Sequence, residues 1–324
     1  KYETPGVIRT NMSNIAIILP AYNEELTIEG TIADFYRELP DATFIIINNA
    51  STDDTATVAQ RTLDRLCANG RIINEQRPGK GNAVRSGFKA ENADIYIIAD
   101  ADMTYPAKHV HQLIRPILEN KADMVVGDRI SEGRYKQENK RHLHNFGNQL
   151  VCWLVNNIFK ADLNDIMSGY RALSKNFIHN YPILVEGFQI ETDMTLHALD
   201  KRFRVLEIPV EYRDRPEGSS SKLSTFKDGT RVLLTIVEIF RHYRPLLFFG
   251  TTSILLILLT VIAGIPVIND WIEHRYIYHV PLAILSSGLG LLATLSLALG
   301  LILDSMAHQQ RMNYERDINS QHYD

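Results

Sequence analysis

Apolar positions fall into two regimes along the chain. Up to about residue 245 they form short runs separated by polar turns. Beyond it they form two long blocks, Leu246 to Ile268 and Val280 to Leu303. In the first regime, Asn14 to Leu19, Phe44 to Ile47, Arg71 to Asn74 and Ile95 to Ile98 predict strands, the first stopped by Pro20. Helical patterns follow, up to Leu39, from Ala56 to Cys67, and from Gly79-Lys80-Gly81-Asn82 to Lys89. Further on, the pattern predicts a helix over His109 to Glu119 disturbed by Pro116 and a strand over Asp123 to Gly127. It then predicts a helix over Asn145 to Phe159 and a strand over Arg204 to Tyr212. This alternation predicts an α/β domain, a mostly parallel sheet with helices on both faces. Ser131 to His144, highly charged, and Arg213 to Ser224, basic and rich in Gly and Ser, read as loops.

Each long block is of a length to cross a bilayer as a helix and has no polar face; the alternative is a pair of buried core helices. The linker Asn269 to His279 carries Trp271, Tyr276 and Tyr278, types that favour membrane interfaces, and a single Arg. Arg241, Arg244, Arg311 and Arg316 flank the pair on its other side. The positive-inside rule then places both ends and the N-terminal domain in the cytoplasm. Phe226 to Arg244 reads as a basic amphipathic helix on the anionic membrane face, or as a simple packed helix. The expected division is 1–11 as a vector-derived or disordered leader, 12–224 as the cytoplasmic catalytic domain and 225–245 as the juxtamembrane helix. Residues 246–304 are the two membrane helices and 305–324 a polar cytoplasmic tail. The membrane helices could also join copies of the chain as a homo-oligomer.

A net charge of −4 gives no basic footprint for nucleic acid. Cys67 and Cys152 lie in or after apolar helical patterns and read as core thiols in a reducing compartment.

The candidate chemistry starts at Ile95 to Ile98, which runs into Asp100-Ala101-Asp102. Two carboxylates across a small residue, where a strand leaves the carboxyl edge of a parallel sheet, suit a divalent cation that completes its shell with phosphate oxygens. The alternative is a pair of solvated loop aspartates. Gly79-Lys80-Gly81 is either a phosphate cradle or a plain turn before a helix, and its spacing is not that of a P-loop. Glu191 and Asp193 are candidates for a general base, or for sugar-hydroxyl binding or helix capping. Asp165 is expected to orient Arg171 or to form a structural ion pair. Asp53 and Asp54 favour the N-terminus of the following helix.

Five motifs occur in one order: Pro20-Ala21-Tyr22-Asn23-Glu24, Asn48 to Thr55, Asp100-Ala101-Asp102, Ser168-Gly169-Tyr170-Arg171, and Arg215-Pro216-Glu217-Gly218-Ser219-Ser220-Ser221-Lys222-Leu223. The chain resembles the family-two glycosyltransferases over about residues 14–245, more narrowly the polyprenyl-phosphate glycosyltransferases of the dolichol-phosphate mannose synthase type. The resemblance implies a GT-A fold, and the two-helix tail resembles that of bacterial members, which implies a bacterial inner membrane. The resemblance also implies that Pro20, Ala21, Tyr22, Asn23, Glu24 and Asn49 hold the nucleoside of a UDP- or GDP-sugar. Asp100, Ala101 and Asp102 would hold the diphosphate, with Asp100 and Asp102 on Mg²⁺ or Mn²⁺. Arg215, Ser221 and Lys222 would lie at the reacting phosphates, and Arg129, Arg141 and Asn145 at the lipid phosphate. Asp102, Arg129, Arg215 and Lys222 would carry catalysis. Asn48-Asn49 replaces the family's acidic pair, and Thr104 stands where a Gln often assists the metal.

The reaction so implied is inverting transfer of a sugar from a nucleotide sugar to a polyprenyl phosphate. Transfer to a hydroxyl needs a general base. The Glu-Asp pair and the Gln-x-x-Arg-Trp motif of related polysaccharide synthases are absent from the sequence. A hydroxyl-directed polysaccharide synthase is the alternative, and a non-enzymatic module on the same scaffold a remoter one.

Overall fold

The computed structural model describes residues 13–131, 142–187, 189–216 and 237–321. The chain divides into two compact units, residues 1–229 and 230–324.

The first unit is built on a seven-stranded sheet of order β3-β2-β1-β4-β6-β5-β7. Its strands are β1 (Ile15–Ala21), β2 (Thr43–Asn49), β3 (Gly70–Glu75), β4 (Ile95–Ile98), β5 (Met124–Asp128), β6 (Arg171–Ser174) and β7 (Val205–Pro209). β6 runs antiparallel to both its neighbours, and every other pairing is parallel. The helices are α1 (Ile28–Glu38), α2 (Thr55–Leu66), α3 (Lys80–Ala90), α4 (Val110–Leu118), α5 (His142–Phe159), α6 (Lys175–Asn180) and α7 (Ile190–Asp200).

Two-residue periodicity divides the core. Ile17 and Leu19 of β1 face a layer with Ile28, Ile32 and Phe35 of α1, Leu63 of α2 and Leu113 of α4. Ala16 and Ile18 face the opposite layer, with Val84 of α3, Phe177 of α6 and Met194 of α7. The central strands are thus apolar on both faces, which explains their unbroken isoleucine runs.

Several expectations need correction. Pro20 does not stop β1, which continues to Ala21. Its missing N–H points to the same side as the Ile18 carbonyl, toward β4, whose pairing with β1 has already ended at Ile98; no ladder bond is lost. Pro116 sits in the last turn of α4 and is tolerated there. β7 stops at Pro209 rather than Tyr212. Cys152 is buried, but Cys67 is exposed: it forms the left-handed C-cap of α2 at φ 51°, outside the helical stripe that the pattern assumed. The expected loop over 131–144 and the basic loop over 213–224 fall mostly outside the described residues.

The second unit is a helical hairpin, α8 (Pro245–His274) and α9 (Val280–Gln321), preceded by a helical run over 237–243. That run is the described part of the expected juxtamembrane helix. Both long helices are apolar enough to cross a membrane, with mean hydropathy of 2.5 and 2.0 over their best windows and only 6% of each window buried. They are not core helices. Side-chain hydroxyls join them across the hairpin: Ser253 donates to the Ala293 carbonyl at 2.8 Å, Ser286 to Thr260 at 3.1 Å and Ser296 to Phe249 at 2.9 Å. Helix outlasts the apolar block at both turns of the chain. α8 reaches His274, so the linker is shorter than expected, and Asp270 closes it by accepting the N–H groups of Tyr278 and His279. α9 runs on through the polar tail to Gln321, because no Gly or Pro follows Gly300 to break it.

Candidate active site

The strand order reverses at β1, with β2 on one side and β4 on the other. Ligands of open α/β sheets bind at such a switch point, outside the carboxyl ends of the strands. The segments after β1, β2 and β4 meet there.

The first two are stitched together. Asn23, at φ 53°, accepts from the Thr52 N–H at 2.8 Å and donates its own N–H to Ser51 Oγ at 3.0 Å. The Glu24 N–H donates to Thr55 Oγ1 at 2.8 Å. Asn49, buried, accepts from the Gly79 N–H at 2.9 Å and donates to the Arg77 carbonyl at 2.7 Å. Asn48 donates to Asn74 Oδ1 at 2.9 Å. These amides organise the loops, while Tyr22 stands exposed at the rim.

Carboxylates and cations alternate beneath that rim. Asp100 is 2.5 Å from Lys80 Nζ, and the same ammonium is 2.5 Å from Glu191. Asp102 is 2.6 Å from Arg215, which also reaches Glu24 at 3.3 Å. Thr104 Oγ1 donates to Asp102 at 2.6 Å, so Thr104 orients this carboxylate through a neutral hydroxyl. Burial works against the charge on Asp100, but Lys80 outweighs it and Arg129 and Arg215 add to it, so its carboxyl lies below the ordinary range. Burial and the charge of Asp100 together push Asp102 upward, against the pull of Arg215. Burial alone would lower the Lys80 ammonium; Asp100 and Glu191 raise it instead.

Arg129, at the end of β5, forms a bidentate pair with Asp165: Nε to Oδ2 at 2.6 Å and Nη2 to Oδ1 at 2.9 Å. Its guanidinium also lies 5.7 Å from the centre of the Tyr212 ring. Of the two expectations for Asp165, orienting Arg171 or forming an ion pair, the structure shows the ion pair, and its partner is Arg129. Arg171 points into the core from β6, donating to the Ile166 and Ser168 carbonyls and to Thr195 Oγ1.

Lys80 is what sequence reasoning undervalued. The N–H groups of Gly81 and Asn82 donate to the Glu186 carbonyl, so the start of α3 is a packed turn and not a backbone phosphate cradle. Gly79 has φ +123°, and a Cβ there would come within 2.2 Å of that same carbonyl. The turn delivers only the Lys80 side chain to the site. The usable signal was a lysine opening the helix that leads from β3 to β4, across the switch point at β1. Of the two candidate bases, Glu191 is ion-paired with Lys80 and Asp193 accepts from the Tyr181 hydroxyl at 2.7 Å. Asp54 is the N-cap residue of α2 without a side-chain cap bond, and Asp53 before it accepts from the Thr55 N–H at 3.1 Å.

The donor set suits a hard divalent cation bound together with phosphate. Among the described residues no cluster of three or more His, Cys, Asp or Glu forms a cage. Asp100 and Asp102 offer carboxylate oxygens only, and Gly169 keeps Asp100 uncovered: a Cβ there would lie 2.8 Å from Asp100 Oδ2. Ser221, Lys222 and Arg141 lie outside the described residues, as does the side chain of Asn145, whose backbone is in α5.

This sheet, with paired aspartates at its switch point, defines the GT-A class of fold. Residues 16–180, just over half of the chain, match the family described as Glycosyl transferase family 2, and the chain belongs to that family of enzymes. Glycosyltransferase AglJ of Haloferax volcanii is 28% identical over 303 residues, 93% of this chain and 96% of its own length. The dolichyl-phosphate hexose transferase of the same organism is 24% identical over 226 residues, 70% of this chain and 93% of its own. Among solved structures, glucosyl-3-phosphoglycerate synthase from Mycobacterium tuberculosis, in complex with Mn²⁺, UDP and phosphoglyceric acid, superposes with a TM-score of 0.53. It covers 69% of this chain and 78% of its own at 23% identity, a likeness of fold.

Proposed function

We propose that this glycosyltransferase moves a sugar from a nucleotide diphosphate sugar to a polyprenyl phosphate at the cytoplasmic face of a membrane, with inversion at the anomeric carbon. One observation carries the choice of acceptor. Both carboxylates that could act as a base are engaged, Glu191 by Lys80 and Asp193 by Tyr181. A phosphate acceptor is already an anion and needs no base. The similarity to a dolichyl-phosphate hexose transferase supports the same choice.

An oxygen of the lipid phosphate attacks the anomeric carbon from the face opposite the leaving group. The new C–O bond forms as the bond to the nucleoside diphosphate breaks, and no proton has to be removed. Mg²⁺ or Mn²⁺ held by Asp100 and Asp102 would supply Lewis-acid stabilisation of the departing diphosphate. Two anions meet here, so cations must offset their repulsion. At about 4 Å and an effective dielectric of about 20, each opposed pair of unit charges is worth on the order of 4 kcal/mol. Lys80 and Arg215 fill this role on the donor side and Arg129 on the acceptor side. Pro20 to Glu24 and the Asn48–Asn49 edge bound the nucleoside. Residues 12–224 form the catalytic domain, anchored by α8 and α9. Arg241, Arg244, Arg311 and Arg316 mark the cytoplasmic side of the anchor, opposite Trp271 and Tyr276.

The test uses the full chain in detergent with Mg²⁺ or Mn²⁺, a panel of UDP- and GDP-sugars, and undecaprenyl phosphate. A lipid phosphosugar seen by mass spectrometry, dependent on metal and lost in Asp102→Ala, is the expected result. Sugar appearing on a glycan hydroxyl instead, or on no acceptor, overturns it.

A further inference from the structure

The loop between α5 and β6 carries Asp165 and runs into the Ser168-Gly169-Tyr170-Arg171 motif, and its backbone is tied down at several positions. Arg171 takes the carbonyls of Ile166 and Ser168 at 2.7 and 2.9 Å. Asn156 of α5 takes the Leu163 carbonyl and returns a bond to its N–H, at 2.9 and 3.1 Å. Cys152 Sγ meets the Asn164 carbonyl at 3.3 Å. The amides of Asn164 and Asp165 both donate to one carboxylate, that of Glu207 on the edge strand β7, at 2.6 and 2.9 Å. What this fixes is the direction of Asp165, fully buried, whose two oxygens grip Arg129.

We propose that Glu207 is a positioning residue for sugar transfer: by accepting both amides of the 164–165 turn it aims Asp165, and through it Arg129, at the acceptor phosphate. The proposal rests on the reading of Arg129 as a contact to the lipid phosphate.

The geometry needs an ionised Glu207. Each of its oxygens faces an N–H donor, so a proton on either one sets hydrogen against hydrogen and breaks one bond. Burial pushes the Glu207 carboxyl up to about 7 against the pull of the Asp165 and Asn164 amides, and the like charges of Asp128 on β5 and Asp165 in the loop add to the rise. The Cys152 thiol of α5 also faces this group; burial pushes it up to about 12, so it stays protonated and neutral throughout the working range. Protonation of Glu207 therefore falls within the pH range in which such an enzyme works, and it loosens the turn that carries Asp165.

Glu207→Gln keeps the shape and places an NH₂ against one backbone N–H, a fixed copy of the protonated state. In the full-length enzyme, KM for the lipid phosphate should rise on the order of ten- to a hundredfold, with KM for the nucleotide sugar unchanged. The wild-type profile of kcat/KM for lipid phosphate should fall below an apparent pKa of about 7. In Glu207→Gln only the acceptor's own second ionisation, near about 6, should remain. Asp165→Asn, equally conservative, should give the same acceptor defect. Added to Arg129→Gln, Glu207→Gln should cost nothing further. A wild-type acceptor KM and pH profile in Glu207→Gln overturn the proposal, as do additive effects in the double variant. A wild-type acceptor KM in Arg129→Gln overturns the reading of Arg129 and this relay with it, whereas a defect in Arg129→Gln alone overturns only the relay. Should Glu207→Gln fail to fold, a wild-type profile without the limb near 7 overturns it equally.

Discussion

Lys80 and Glu191 are ion-paired at 2.5 Å, the first residue of α3 against the second of α7, with side chains 9% and 8% exposed. The ammonium has a second partner in Asp100, at the same distance, whereas Glu191 has no second cation among the ion pairs of the described residues. That asymmetry predicts unequal costs. Lys80→Met takes the ammonium from the buried Glu191 and the partly exposed Asp100 and should destabilise the protein by about 3 kcal/mol. Glu191→Gln leaves Lys80 paired with Asp100 and should cost clearly less. Unfolding of both variants in detergent, followed by circular dichroism, checks the order; equal costs would refute it.

Gly169 predicts a defect confined to one substrate. The Cβ of Gly169→Ala would sit 2.8 Å from Asp100 Oδ2 and 3.0 Å from Lys80 Nζ. The two side chains must move apart, and the core behind them is untouched. KM for the nucleotide sugar should rise on the order of tenfold or more while the unfolding midpoint stays near that of the wild type. Unchanged donor kinetics would mean that the carboxylate has room to spare.

Two half-buried groups make opposite contributions to stability as pH changes. Burial pushes His197, packed among Phe177, Tyr181 and Phe203, down to about 4. Between its ordinary value of about 6.5 and 4, the unfolded chain binds this proton and the folded chain does not, so stability falls as pH falls. Glu207 is raised to about 7 from 4.5. Over that interval the folded chain binds the proton and the unfolded chain does not, so stability falls as pH rises. Between about 4.5 and 6.5 the two slopes, each at most about 1.4 kcal/mol per pH unit, oppose one another. Relative to wild type, Glu207→Gln should tilt the stability curve upward with pH and His197→Phe downward. Thermal unfolding of the full chain across this range reads both, and a tilt of the wrong sign in either variant would count against the burial argument.

The site was legible where chemistry sits in one strand and hidden where it depends on pairing. Ile95 to Ile98 running into Asp100 and Asp102 put both aspartates at the sheet's carboxyl edge, where β4 ends. Asp165 could not be matched to its partner. Choosing between Arg129 and Arg171 needs the knowledge that β6 enters antiparallel between β4 and β5 and turns Arg171 into the core. Glu207 carried no signal at all, since a glutamate on an edge strand reads as solvated. Pro20 misled for the reverse reason: a rule about strand interiors does not apply where the neighbouring strand has already stopped. Cys67 misled because an apolar stripe says nothing of the residue that caps it.

α9 is one unbroken helix of 42 residues, about 60 Å long, roughly twice the thickness of a bilayer's hydrocarbon core. Its apolar block and its polar end therefore share one angular phase. A single residue inserted near Asp304 would swing everything after it through about 100°, whereas four would nearly restore the original facing. The direction in which Arg311 and Tyr314 look is thus written into the packing of Ala293 and Gly300 against α8, several turns away.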